Sequence, residues 1–351
     1  MRILFGPEHD GLHIDPNEPN GYEWWYFDAI SDDERYVLVV IFFLGTPMSP
    51  YYKAVVDGKN PLPKDWCGVF VSLHERTKDG YKERAYTYNL YRNADLFTDG
   101  DDVRIGRSHF CHAGEGKGGD KYLWMLSLNE RGLWRGSLTA DLTFYATFAP
   151  RHDPIDGSNS HSWVCTAPMG RLNGKIQLPS NEVVEFSGYG YHDHNFGKLP
   201  WSDTKIWFWS RTHFGSDESV CGMVNYSWLS DSGRKTYFIF WKRDGTLQIV
   251  DDATIAEDAN GSYLTTKRGM LQQRVTGVEQ TGIESLRMSH PAGWSLLQSS
   301  PFYCRFPLVT ETQYPARAEN SFIGIGEIFQ PERLCGPIIS RMMWTRIRRR
   351  S

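Results

Sequence analysis

The hydrophobic positions of the chain fall into short apolar and aromatic segments, which Gly, Pro, Asn and Asp separate. Segments of this kind, rich in β-branched and aromatic side chains, predict β-strands joined by turns. No helical pattern separates consecutive strands, so the order is typical of a sandwich or barrel rather than of a parallel α/β sheet. The clearest strands are predicted at YVLVVIFFLG (36–45), WCGVFVSLHER (66–76), YLWMLSLNE (122–130), SLTADLTFYATFAP (137–150), VVEFSGYGYHDHN (183–195), KIWFWSRTHF (205–214), SVCGMVNYSWL (219–229) and KTYFIFWKRDG (235–245).

A turn at 197–204 divides this series of strands. Because 351 residues exceed the usual size of one domain, we predict two domains, each with its own hydrophobic core. They are an N-terminal β domain over 1–200 and a C-terminal β domain over 201–351. Apolar residues of GPIISRMMWTRIRRRS (336–351) follow a helical spacing. The sequence therefore predicts an all-β protein of two barrel or sandwich domains with a short C-terminal helix.

The C-terminal segment 336–351 ends in a run of arginines, and two interpretations fit it. It can be a docked helix with a solvated basic end. It can also be a peripheral membrane anchor, in which anionic lipid attracts the arginines while Met342, Met343 and Trp344 enter the headgroup region. The most apolar run elsewhere, at 36–44, is far shorter than the ~20 residues that cross a bilayer as a helix.

Composition narrows the function classes. Aromatic residues make up 14% of the chain, with 13 Trp, 18 Tyr and 19 Phe, which suits either a sheet-rich core or an apolar ligand cavity. The 38 Lys and Arg against 42 Asp and Glu give no basic excess, which argues against nucleic acid as a partner. The six cysteines form no zinc spacing, and the N-terminus lacks the apolar run of a signal peptide. We expect a cytoplasmic protein with reduced thiols, and membrane association stays open.

The segment GYGYHDHNFG (188–197) concentrates ionisable and aromatic side chains that packing alone does not require. Side chains alternate along a strand, so a cavity would meet only one of two sets. One face of the strand carries Tyr191, Asp193 and Asn195, and the other face carries His192 and His194.

A second segment, HSW (161–163), follows the same period of two, which places His161 and Trp163 on a common face. Beside the strand of Tyr191 and Asp193, it would direct all four side chains into one cavity. This set suits acid-initiated addition to a carbon–carbon double bond. A buried Asp193 would protonate carbon, and His161 would orient it or return its proton. Trp163 and Tyr191 would stabilise the carbocation with their π faces.

Other functions have weaker support in the sequence. A buried hydrogen-bond network would use the same Asp and His residues without chemistry. His192 and His194 have the His-x-His spacing of two metal ligands, but no third ligand clearly accompanies them. No GxSxG, GxxxxGK[ST] or GxGxxG motif stands in the context that hydrolases, phosphate loops and dinucleotide folds require. We therefore expect an activity without cofactor or metal.

Four segments resemble one known family. GYEWWYFDAISDDERYVLVVIFFLGTPMSPYY (21–52) is similar to the N-terminal signature of the carotenoid 1,2-hydratases, also called hydroxyneurosporene synthases. GYGYHDHNFG resembles their G-x-G-Y-x-DHN-x-G motif, HSW their His-x-Trp motif, and WSRTHF (209–214) a W-S/G-R-x-H segment. The resemblance extends from about residue 20 to about residue 230 and becomes faint afterwards.

The resemblance implies two lipocalin-like β domains, in a superfamily that also contains fungal pericyclases of Diels–Alder type. The family's functional residues fall on the four that strand alternation brings together, namely His161, Trp163, Tyr191 and Asp193. The remaining candidates, for substrate binding, are Glu23, Trp24, Trp25, Tyr26, His192 and Asn195.

Together, these observations predict a cofactor-independent hydratase or related cyclase that protonates a double bond of a hydrophobic polyene or isoprenoid, such as a carotenoid. Water or an internal group would capture the carbocation. Two alternatives stay open. One is a pericyclase that orients a linear polyene by shape and hydrogen bonding, and the other is a lipid-binding lipocalin relative without catalytic activity.

Overall fold

The computed structural model describes residues 1–92, 96–99, 102–115, 122–133, 136–157, 160–201, 204–215, 220–251, 253–257, 272–291, 293–314 and 320–350. Ser219, at the start of a predicted strand, and residues 202–203 of the predicted turn lie outside this part of the chain. The chain forms two compact units. The first comprises Met1–Glu75, Glu83–Ser202 and Arg333–Ser351, and the second comprises Arg76–Lys82 and Asp203–Glu332.

Most of the described residues lie in β-strands, and the helices are short. In chain order the strands are β1 (Arg2–Phe5), β2 (Gly21–Ser31), β3 (Tyr36–Leu44), β4 (Cys67–Thr77), β5 (Gly80–Tyr91), β6 (Leu96–Asp99), β7 (Asp102–Ile105), β8 (Ser108–Glu115), β9 (Tyr122–Arg131), β10 (Ser137–Ala146), β11 (His161–Gln177), β12 (Val183–Lys198), β13 (Ile206–His213), β14 (Val220–Ser230), β15 (Gly233–Lys242), β16 (Leu247–Val250), β17 (Thr254–Glu257), β18 (Gln272–Thr276), β19 (Ser285–Ser289), β20 (Gln298–Ser299), β21 (Tyr303–Gln313), β22 (Asn320–Phe329) and β23 (Arg348–Arg349). The helices are α1 (Pro50–Val56) and α2 (Pro337–Met343). Each predicted strand overlaps an observed one and α2 is the predicted C-terminal helix, which confirms the all-β fold class.

In the described part of the first unit, one sheet has the strand order β23-β5-β4-β3-β2-β12-β11-β10-β9-β8-β7-β6, with β1 beside β11. The sheet curls around a single core. Strands β5 and β9 lie far apart in this order, yet Asn89 of β5 donates a hydrogen bond to Glu130 of β9 over 2.5 Å. The core includes Trp25 and Phe27 of β2 and Phe144 of β10.

The described part of the second unit holds the other sheet, in the order β16-β15-β14-β13-β22-β21-β19-β18-β17, with β20 beside β21. Its own core includes Phe208 of β13, Phe240 of β15 and Phe306 of β21. Each unit therefore encloses a separate apolar core, as a chain of this length favours.

The C-terminal segment 333–351 belongs to the first unit, whereas a division into 1–200 and 201–351 assigns it to the second domain. The reason is a non-local pairing, in which β23 lies parallel to β5 with Arg348 opposite Asn89. The other arginine contacts are Arg346 with Glu83 and with the Tyr86 ring, Arg349 with the Trp66 ring, and Arg350 with Asn89. These contacts favour the docked-helix interpretation, and membrane contact stays a prediction. Among the described residues, no helix has the length and apolar character needed to cross a membrane.

Glu130 is a buried carboxyl group inside the first unit. It accepts hydrogen bonds from the Asn89 amide, from the Tyr91 hydroxyl at 2.8 Å and from the Ser108 hydroxyl at 2.6 Å. Burial raises the pKa of Glu130 to about 7, although these donors oppose the shift. The folded protein thus holds a proton that the unfolded chain releases near pH 4.5.

Replacing Glu130 with glutamine should change how stability depends on pH. Between pH 4.5 and pH 7 the folded wild type binds more protons than the unfolded chain, so its free energy of unfolding falls, by about 3 kcal/mol in all. Glutamine does not titrate, so the variant lacks this fall in the free energy of unfolding. Every other group titrates in both proteins and cancels in the comparison. Urea denaturation at these two pH values should therefore show Glu130→Gln gaining about 3 kcal/mol relative to the wild type. A difference that does not vary with pH would contradict the raised pKa.

Candidate functional site

Three neighbouring strands, β2, β12 and β11, carry the predicted site residues. Both faces of β2 are buried, which explains why its aromatic run shows no polar alternation. One face joins the core of the first unit. The other, which we call the aromatic face, carries Tyr22, Trp24, Tyr26 and Asp28 of β2, Tyr191, Asp193 and Asn195 of β12, and His161 and Trp163 of β11.

The pairing of β11 with β12 is irregular beside this face. Its register shifts between Val164 and Ala167 and again between Ala167 and Gly170. Such shifts bend a strand and redirect its side chains, and they are frequent next to functional sites. Trp163 lies opposite Asn195 in the ladder, yet its indole Nε1 donates to Asp193 Oδ2 at 2.9 Å.

Asp193 is held by three hydrogen bonds and is only 4% exposed. Its Oδ2 accepts from Trp163 Nε1 at 2.9 Å and from the Tyr191 hydroxyl at 2.8 Å, and its Oδ1 accepts from Asn195 Nδ2 at 3.0 Å. Two donors fill both lone-pair directions of Oδ2. In the acid form of Asp193, the proton therefore belongs on Oδ1.

His161 lies in a second polar group on the aromatic face. Its Nδ1 is 2.6 Å from the Tyr22 hydroxyl, which also accepts from Trp201 Nε1 at 2.8 Å. The indole of Trp201 can only donate, so the Tyr22 hydroxyl accepts from it and keeps its own hydrogen for either His161 Nδ1 or the Ser160 carbonyl oxygen, 3.4 Å away. Burial lowers the pKa of His161 to about 3, so the imidazole is neutral at neutral pH. The His161 ring also stacks on Trp24, with ring centroids 5.9 Å apart.

Asp28 is not among the predicted site residues, yet it lies fully buried on the aromatic face. Its Oδ2 accepts a hydrogen bond from the Tyr26 hydroxyl at 2.8 Å. Asp28 lies opposite Tyr191, and Tyr26 lies opposite Asp193. The sequence feature that marks Asp28 is the spacing Tyr-x-Asp, which occurs at 26–28 as well as at 191–193.

The opposite face of β12 carries the two histidines into the core. His192 stacks on Phe27 with ring centroids 3.9 Å apart, and its Nε2 lies 2.9 Å from Asp10 Oδ2. His194 Nε2 lies 2.7 Å from Glu23 Oε1. Asp10 is also absent from the predicted site residues, because it precedes the first long strand in a segment without periodicity.

Within the described part of the chain, no cluster of three or more His, Cys, Asp or Glu side chains is arranged to hold a metal ion.

The structure groups some of the predicted site residues on one face of the sheet and places others on the opposite face. The aromatic face brings together His161, Trp163, Tyr191, Asp193, Asn195, Trp24 and Tyr26. The core side holds Glu23, Trp25 and His192.

Solved structures share the fold at low sequence identity. An AttH-type protein of Nitrosomonas europaea superposes with a TM-score of 0.59 at 12% identity, covering 93% of this chain and 97% of that one. CghA with bound Sch210972 gives 0.52 at 13% identity, again over 93% of this chain and 97% of that one. Kievitone hydratase from Nectria haematococca gives a TM-score of 0.52 at 9% identity, over 93% of this chain and 95% of that one. This likeness supports the lipocalin-like fold.

Three relatives are similar in sequence. A protein of Chlorobaculum tepidum named hydroxyneurosporene dehydrogenase is 25% identical over 93% of this chain and 85% of its own length. The acyclic carotenoid 1,2-hydratase of Thiocapsa roseopersicina is 30% identical over 61% of this chain, and the match spans 49% of that protein. The enzyme of the same name from Rubrivivax gelatinosus is 24% identical over 83% of this chain and 65% of its own length.

The family itself follows from a match over most of the chain. The lipocalin-like all-β fold agrees with it. A family model described as carotenoid hydratase CrtC matches residues 40–351, and the chain therefore belongs to the carotenoid hydratase CrtC family.

Proposed function

We propose that this protein is a hydratase that adds water across a carbon–carbon double bond of a hydrophobic polyene of the carotenoid class. One observation carries the proposal: a buried carboxyl group, Asp193, is fixed by Trp163 and Tyr191 on a face lined with aromatic rings. Family membership and the names of two relatives support the same reaction class.

The first step is transfer of the Asp193 proton to carbon. Because two donors occupy Oδ2, the transferred proton leaves from Oδ1. It adds to the less substituted carbon of the double bond, and the positive charge develops on the more substituted carbon. Trp163 and Tyr191 present π electrons beside that charge, worth ~1 to 2 kcal/mol for each desolvated ring.

His161 belongs to the wall of the site in this proposal. Its ladder partner Gly197 lies four residues along β12 from Asp193, which is about 13 Å of strand. His161 is neutral because burial lowers its pKa to about 3. A neutral imidazole adds no charge that would repel the carbocation, and its ring extends the aromatic surface of Tyr22 and Trp24.

Turnover of an acyclic carotenoid such as lycopene in deuterated water tests this function. We expect the wild type to form a tertiary alcohol that carries one solvent deuterium on the carbon next to the new C–O bond. A cyclised product without solvent deuterium would replace the hydratase with the pericyclase. Saturable binding that quenches tryptophan fluorescence, with no product from any acyclic polyene, would leave a lipid-binding protein.

A further inference from the structure

The second Tyr-Asp pair of the aromatic face has no role in the protonation step. Asp28 is fully buried, and a carboxylate is not placed in such a position without stabilising partners. The Tyr26 hydroxyl donates to it at 2.8 Å, just as the Tyr191 hydroxyl donates to Asp193 at 2.8 Å.

The ladder between β2 and β12 fixes how these two pairs face each other. Tyr26 lies opposite Asp193, and Asp28 lies opposite Tyr191. The four side chains therefore form a square in which the two carboxyl groups occupy one diagonal. The tyrosines occupy the other diagonal, with ring centroids 6.2 Å apart.

Diagonal neighbours of an antiparallel ladder are about 7 to 8 Å apart at the backbone. Side chains that start from such positions on one face can hold their carboxyl groups about 6.5–9.5 Å apart, the separation that leaves room for a water molecule beside the substrate in inverting glycosidases. Two carboxyl groups on one buried face also favour a state in which only one of them is ionised. The square thus suits one carboxyl group in the acid form and one in the carboxylate form.

We propose that Asp28 is the general base of the hydration, an inference that rests on the proposed function. Asp193 gives its proton to one alkene carbon, and a water oxygen forms the C–O bond at the other. The Asp28 carboxylate accepts the proton that this water loses. At the end of the step Asp28 is the acid and Asp193 the carboxylate, and exchange with solvent water returns the proton. One water is consumed and no other reactant is needed.

The competing base on the same face is His161, and two observations disfavour it. Its Nδ1 lies 2.6 Å from the Tyr22 hydroxyl, and burial lowers the pKa of His161 to about 3, so the ring is a weak base. Its row of the ladder, at Gly197, lies four residues from Asp193, whereas the row of Asp28, at Tyr191, lies two residues away.

The variant Asp28→Asn separates the two half-steps when lycopene in detergent micelles is the probe and deuterated water the solvent. Alcohol formation should fall by ~10² to 10⁴-fold, the usual contribution of a general base. Asp193 remains intact, so it should still add a deuteron and remove a proton again. The recovered lycopene should therefore gain deuterium at its terminal alkene carbon, whereas Asp193→Asn should give neither alcohol nor exchange.

Asp32→Asn is the matched control, since Asp32 follows the same strand, pairs with Arg171 and has a side chain 45% exposed. It should keep wild-type rates. Alcohol formation by Asp28→Asn within threefold of the wild type would overturn the assignment. Loss of both alcohol and exchange in a folded Asp28→Asn protein would also overturn it, because Asp28 would then support the acid rather than the water. A wild-type product without deuterium would instead remove the proposed function itself.

Tyr26→Phe provides the test if Asp28→Asn does not fold. It keeps the ring and removes only the hydroxyl that donates to Asp28. Without this donor the charged form of Asp28 is harder to maintain, so a larger share of Asp28 is already protonated and cannot accept from water. Alcohol formation should therefore fall by roughly tenfold at the acidic end of its pH profile, while deuterium exchange continues. An unchanged pH profile of alcohol formation in Tyr26→Phe would count against Asp28 as the base.

Discussion

Asp193→Asn is expected to lower the rate of hydration by ~10² to 10⁴-fold, because it removes the proton donor and little else. Asparagine has nearly the shape of aspartate. Its carbonyl oxygen can accept from Trp163 and Tyr191 as Oδ2 does, provided that Asn195 rotates its own amide to accept from the new NH₂ group. The aromatic face stays intact, so the loss reports on chemistry rather than on packing.

The matched control for this variant is Glu185→Gln. Glu185 lies on the same strand, but its side chain is 78% exposed and pairs with Lys175 on the surface. We expect it to change the rate by less than twofold, since exposed ion pairs contribute little. Initial rates of both variants should be compared after circular dichroism has shown that they fold. An Asp193→Asn protein that folds and turns over at nearly the wild-type rate would exclude acid-initiated addition.

Strand alternation accounts for what the sequence could predict. The period of two places Tyr191, Asp193 and Asn195 on one face of β12, and the same period pairs His161 with Trp163. Both groups depend only on neighbours along the chain. The structure adds the distances, including the 2.9 Å hydrogen bond from Trp163 to Asp193 that joins the two strands.

The remaining features depend on contacts between distant parts of the sequence. Asp28 pairs with the strand of Asp193 across more than 150 residues, and no local pattern says which strand becomes its neighbour. The pairing of β23 with β5 is equally non-local. A single predicted boundary at residue 200 therefore places 333–351 in the C-terminal domain, although this segment pairs with the first unit. His192 was grouped with substrate-binding residues from a motif, although alternation already placed it on the face away from Asp193.

Mutations on the core-side face of β12 should lower stability and change the hydration rate little, whereas Asp193→Asn on the aromatic face should lower the hydration rate. Asp10 is 2% exposed, and its Oδ2 accepts from Trp124 Nε1 at 2.8 Å and lies 2.9 Å from His192 Nε2. Burial alone would raise the pKa of Asp10, but the charges and hydrogen bonds of His192, with a contribution from His194, outweigh it and lower the pKa. The folded state therefore favours a charged Asp10 between these histidines.

Asp10→Asn is accordingly expected to lower the free energy of unfolding by about 3 to 5 kcal/mol, because it removes one partner from a buried charged group. The loss should appear as a shifted urea midpoint. Asp15→Asn, at an exposed carboxyl in the same N-terminal segment that accepts from Asn17, should leave the midpoint unchanged. Well below its unfolding midpoint, Asp10→Asn should retain most of the wild-type rate, since Asp10 contacts the face of β12 that faces away from Asp193. Unchanged stability would mean that the buried charges do not hold this segment in place. A rate loss as large as that of Asp193→Asn would mean that the two faces of the strand do not act separately.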